Sequence, residues 1–173
     1  MASFSSRMLV PAVVLVVASA GAAPALAQAK SGVNSVDACA TPPQSRLETA
    51  IGKKLKALKL PPSTPASAGV SVCMWTTPDG RRTLSVSTYS PTAVRNTQSK
   101  TIDAYFESLK TQNASFSGRP RVIPGVVKRA VSFPAARGTG DTILVLRGDC
   151  TVVINATGFS PEDIVGIAKA TGQ

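Results

Sequence analysis

Apolar residues recur along this chain with two periods, and each change of period marks an element. Leu47, Ile51, Leu55 and Leu58 fall at helical spacing. Thr41 is placed to cap that helix, Pro42 suits its first turn, and Pro61-Pro62 stop it. Lys53, Lys56 and Lys59 project on the opposite side, so the run KKLKALK reads as a solvated helix face near a C-terminus, where the macrodipole favours cations. Two alternating runs, 69–77 and 82–90, flank Pro78-Asp79-Gly80-Arg81. That is a hairpin signal, because proline presets one turn dihedral and glycine accepts the left-handed one.

After Pro91 a helical stripe resumes with Ile102, Tyr105, Phe106 and Leu109, and Gln112-Asn113 is where it is expected to end. The second half returns to strand patterns at 121–123, 127–133, 142–147 and 151–156, the last two joined by a Gly148-Asp149 turn. A final helix opens at Phe159-Ser160-Pro161-Glu162-Asp163. Ser160 caps it, Pro161 takes the first position, Asp163 completes a capping box, Phe159 staples onto Ile164, and Gly172 stands at its end.

Helix, hairpin, helix, several strands and helix make an α+β fold: a mainly antiparallel sheet of five to six strands covered by two to three helices. The expected organisation is one domain over 39–173, preceded by a flexible, small and polar stretch at 28–38.

The first 27 residues carry a different pattern. Arg7, an apolar run from Met8 to about Ala20, and Ala25-Leu26-Ala27 form the three parts of a secretory leader with a small-x-small cleavage site after Ala27. Pro11, Gly21 and Pro24 interrupt the run short of the roughly 20 apolar residues that span a bilayer. The expected location is periplasmic or secreted, with no transmembrane segment.

The whole chain carries 19 Lys and Arg against 9 Asp and Glu; losing Arg7 with the leader leaves 18 against 9, near +9. No acid lies between Asp79 and Asp103, where Arg81, Arg82, Arg95 and Lys100 fall, nor between Glu107 and Asp141, where Arg119, Arg121, Lys128 and Arg129 fall. These eight are the candidate contacts to an anionic surface such as lipid, cell-wall polymer or lipopolysaccharide. No nucleic-acid motif accompanies them, so no specific nucleic-acid partner is expected.

The absence of histidine removes the usual general base and the commonest metal ligand, and with them Ser-His-Asp and Cys-His catalysis within this chain. Ser-x-x-Lys and Gly-x-Ser-x-Gly are absent as well. Gly138-Thr139-Gly140-Asp141 resembles half a dinucleotide loop, but Ile143 replaces the third glycine and a strand follows, so it reads as a hairpin or bulge. Carboxylates alone leave room for a His-less hydrolase, without any spacing signature for one. No cofactor is expected.

In an exported chain Cys39, Cys73 and Cys150 are disulfide candidates, one bridge with one thiol left over. Alternation places Cys73 and Trp75 on the strand face of Ser71, with Val70, Val72 and Met74 on the other, so that strand is expected to be central. Cys150 shares its side with Val152 and Ile154, as a buried small hydrophobe would. Cys39 to Cys73 is the favoured bridge, pinning the first helix to the sheet, and Cys73 to Cys150 is the rival.

A cysteine ahead of the first helix, Val72-Cys73-Met74-Trp75 opening a hairpin, a late Gly-Asp turn and a Ser-Pro-Glu-Asp helix together resemble small exported α+β envelope domains of unknown function, many of them actinobacterial. The resemblance implies a PsbP/Mog1-like sandwich and supplies no catalytic residues. It departs from this chain in the lipidated cysteine those domains often carry. The expected role is therefore a non-catalytic binding module of the envelope, with an envelope protein or an anionic polymer as partner.

Overall fold

The computed structural model describes residues 30–31, 35–60, 67–126, 128–134 and 140–173. The leader, Arg137 and Gly138-Thr139 lie outside them. In chain order the elements are β1 (Lys30–Ser31), α1 (Gln44–Ile51), β2 (Lys56–Ala57), β3 (Val70–Thr76), β4 (Thr83–Tyr89), α2 (Pro91–Arg95), α3 (Ile102–Ser117), β5 (Arg121–Val122), β6 (Arg129–Pro134), β7 (Gly140–Leu146), β8 (Thr151–Thr157) and α4 (Pro161–Gly172). One antiparallel sheet runs β1-β3-β4-β8-β7-β6-β5, with β2 pairing β3 beside β1. The α+β class is as the sequence predicts. Seven strands on the path and four helices exceed the expected count, because two-residue strands carry too few positions to show a period.

Alternation along β3, β4, β8 and β7 sends Cys73, Trp75, Leu84, Val86, Ile154, Ala156, Ile143 and Val145 to one face. There α1 and α4 cover them, and Leu47, Ile51, Ile164 and Ile167 complete a dry core. Trp75 is 1% exposed at its centre, and truncating so large a buried side chain costs about 3–5 kcal/mol. The two helices approach closely because Gly166 carries no side chain: a Cβ there would lie 2.9 Å from the Ala50 carbonyl oxygen. The start of α4 is built as expected. Ser160 Oγ accepts from the Asp163 amide while Asp163 accepts from the Ser160 amide.

The first helix differs most from expectation. It ends at Ile51, where Gly52 takes a left-handed φ of 62°, and no side chain caps its start. Lys53 to Lys59 therefore do not form a solvated helix face. Glu48 turns the chain instead: its carboxylate accepts from the Leu55 amide at 2.9 Å, from Gln44 Nε2 at 3.0 Å and from Lys54 Nζ at 3.0 Å. Leu55 is thereby buried and Lys56–Ala57 fall into register with Thr76 and Trp75. The helical period of the sequence runs across a helix, a turn and a short strand, because both arrangements put Leu55 inward.

Four other expectations need correction. β3 is second from the edge rather than central: on its outer side, among the described residues, it pairs with β1 and β2, each two residues long. The stretch from 28 is not flexible throughout, since Lys30–Ser31 pair with β3, the Val36 carbonyl accepts from Thr88 Oγ1, and Ala38 is fully buried with its amide on Ser71 Oγ. The segment after Pro91 is two helices, because Asn96 to Thr101 turn the chain between them. Finally, α3 continues past Gln112-Asn113 to Ser117, because Asn113 bonds back to the Leu109 carbonyl inside the helix and Gly118 is the residue that ends it.

Cys39 and Cys73 are bridged, with Cα atoms 5.2 Å apart. Cys150 is a buried free thiol.

Candidate binding face

The opposite face of the sheet is closed over only part of its width. Paired residues across it form rows: Val70, Tyr89, Thr151, Leu146; then Val72, Ser87, Val153, Leu144, Val131; then Met74, Ser85, Asn155, Thr142, Phe133. Helix α3 packs on β6, β7 and part of β8, and Phe106 with Val131, Phe133, Leu144 and Leu146 makes a second small core there. It touches β4 through Tyr105 on Tyr89, at the end of that strand. Val70, Val72, Met74, Ser85, Ser87 and Tyr89 are all half-buried, whereas the alternate residues of the same strands, from Ser71 to Thr88, are buried.

The result is a strip of two to three strands, roughly 10 Å across and 23 Å long at ordinary strand spacing and rise. Midway along its middle strand stand Ser85 and Ser87, so the floor is low there between Val72 and Met74 on one side and Val153 on the other. One wall is the side of α3 that carries Tyr105, Leu109 and Phe116 at helical spacing. Tyr105 meets Tyr89 of the floor with ring centroids 5.3 Å apart. Burial pushes the Tyr105 hydroxyl up to about 12, with Tyr89 adding to it, and burial raises Tyr89 as well. Phe116 is 76% exposed although its spacing points it toward the sheet side of the helix.

The outer edge of β3 is not available for pairing. Near one end it bonds β1, near the other β2, and between them the Leu58 amide donates to the Met74 carbonyl. Short, lysine-bearing edge strands of this kind block edge-to-edge addition.

The eight basic candidates do not converge on one surface. Arg81 and Arg82 lie in the β3–β4 turn, Arg95 and Lys100 in and after α2, and Arg119, Arg121, Lys128 and Arg129 around the β5–β6 hairpin. Two are fasteners rather than free surface charges. Arg82 bonds Asp163 at 2.9 Å and stacks over Phe159, tying β4 to α4. Arg129 grips Asp103 and Glu107 on α3 and lies over Phe106. The other six are exposed. Lys53 and Arg81 both hold the Asp79 carboxyl low, behind the larger effect of the Thr77 hydroxyl.

Between α1 and α4 lies a shallow groove of about 460 Å³ whose lining includes Arg46, Thr49, Gly166 and Lys169. Among the described residues no cluster of three Cys, Asp or Glu is arranged to hold a metal ion, and no helix is long and apolar enough to cross a membrane.

Fold and surface define an α+β sandwich with one sealed and one half-open sheet face. No protein-family model, curated protein or solved structure matches the chain.

Proposed function

We propose that this protein is an exported, non-catalytic binding module of the cell envelope, and that the half-open face of β3, β4 and β8 is its contact surface. The observation that carries the reading is the asymmetry of the sheet. The same strands are sealed on one side and carry half-buried Val70, Val72, Met74 and Tyr89 on the other, and apolar side chains left uncovered on the surface of a small domain often mark where something binds. The acids support the non-catalytic part. Glu48, Asp103, Glu107 and Asp163 are engaged by basic side chains within the fold, and Asp141, near the start of β7, and Asp149, in the β7–β8 turn, stand at opposite ends of that strand pair. The bridge from Cys39 to Cys73 suits an oxidising compartment.

Hydrogen exchange of the mature protein with and without its native envelope fraction tests the reading. Slower exchange is expected across 70–76 and 83–89 when the fraction is present. Unchanged exchange there, with protection elsewhere, would assign the contact to another surface.

A second reading is electrostatic attachment to an anionic surface, favoured by the exposure of Arg119, Arg121 and Lys128 at the β5–β6 hairpin. Its signature is binding to anionic vesicles that collapses between low and moderate salt. Arg119→Glu with Arg121→Glu should abolish that binding, and Arg82→Ala should leave it intact.

A further inference from the structure

The half-open strip has chemistry at its ends as well as on its floor. At the end where β4 runs into α2, Tyr89 and Tyr105 form a desolvated pair. Beyond them stand Arg95, the last residue of α2, and Lys100, one residue before the cap of α3. Both are exposed, and neither makes an ion pair among the described residues. The nearest acid in sequence, Asp103, is already held by Arg129. The Lys100 ammonium rests only on the Arg95 carbonyl, at 3.4 Å. A strip of Val72, Met74 and Val153 interleaved with Ser85 and Ser87 thus leads to two cations without an ion pair among the described residues.

The same features weigh against other occupants. A peptide adding as a strand needs a free sheet edge, and the β3 edge is taken by β1, β2 and Leu58. Two mature copies would bring together two molecules of net charge near +9 across a floor striped with Ser85, Ser87 and Asn155, whereas the core of a homodimer interface is more apolar than its surroundings.

We propose that the strip binds a long-chain fatty acid, its alkyl chain over Val72, Met74, Ser87 and Val153 against the Leu109 side of α3, and its carboxylate at Arg95 and Lys100. The proposal rests on the reading of this face as the contact surface. It adds the ligand class and the polarity of binding.

A polyene fatty acid whose fluorescence rises in apolar surroundings, cis-parinaric acid, is the probe, displaced by oleate or by the uncharged ester monoolein below their aggregation thresholds. Saturable one-to-one binding is expected, with oleate displacing it about tenfold better than monoolein, the scale of two partly exposed charge contacts. Arg95→Glu with Lys100→Glu should weaken oleate about tenfold and leave monoolein unchanged. Ser87→Trp and, separately, Ser85→Trp should fill the floor and remove binding of both, with thermal melting showing that each variant remains folded. Absence of saturable binding, undiminished binding in both folded tryptophan variants, or oleate affinity indifferent to the double charge reversal would each overturn the proposal. If fatty acid fails while the envelope fraction still protects 70–76 and 83–89 from exchange, the contact face stands and the ligand class falls. A dimer that buries those strands would overturn the ligand class as well.

Discussion

The thiolate is the reacting form of a cysteine, so the reactivity of Cys150 depends on whether water can solvate its anion. It cannot: the residue is fully buried, and burial, with Asp149 adding to it, pushes the thiol up to about 12. Iodoacetamide at pH 8 should leave the native protein unmodified and should alkylate one thiol after unfolding without reductant. Rapid alkylation of the native protein would contradict this burial. The placement was legible from alternation with Val152 and Ile154. The roles of Arg82 and Arg129 were not. Their partners lie 81 residues away in one case and 22 and 26 in the other, distances over which a sequence pattern carries no information about which charges meet.

At the scale of the element, the end of α1 turns on Glu48. Its carboxyl is held at about 2, first by Gln44, then by the Leu55 amide and by Lys54. A group depressed in the folded state adds stability that is present above its unfolded value near 4.5 and lost as pH falls through its folded value. The advantage of the parent protein over Glu48→Gln should therefore be full at pH 6, shrink between about pH 4.5 and 2, and vanish below. Urea unfolding of both proteins at pH 6, 3.5 and 2 measures it, and a gap independent of pH would show that the carboxylate charge is not what fastens the turn. Gly52 was the available sequence signal for the early stop. It was masked because Leu55 and Leu58 continued the helical period while belonging to a turn and a strand edge.

For the whole molecule, the bridge from Cys39 to Cys73 fastens the segment before α1 to the sheet and closes a separation of 34 residues. In the chain-entropy account, constraining the unfolded chain this way is worth about 3–4 kcal/mol. Cys39→Ser with Cys73→Ser should lower the unfolding free energy by about that amount in denaturant titrations. A loss below about 1 kcal/mol would mean that packing around Ala38, Trp75 and Leu47 already holds the segment.

The long strands, the hairpin turns, the capping box of α4 and the burial of Trp75 and Cys150 followed from the sequence because each rests on local period or local turn chemistry. The bridge was legible for a related reason, since an expected export signal and a strand face narrowed three cysteines to one favoured pair. The half-open face could not be read the same way. Val70, Val72 and Met74 look as buriable as their neighbours, and alternation on both faces suggested a central strand. Whether that face is closed depends on where α3 docks and how far two-residue edge strands extend. Both are decided by packing between segments remote in the chain. The sequence therefore specified which residues can be buried, and tertiary packing, by docking α3 on β6, β7 and part of β8, left the rest of that face half open.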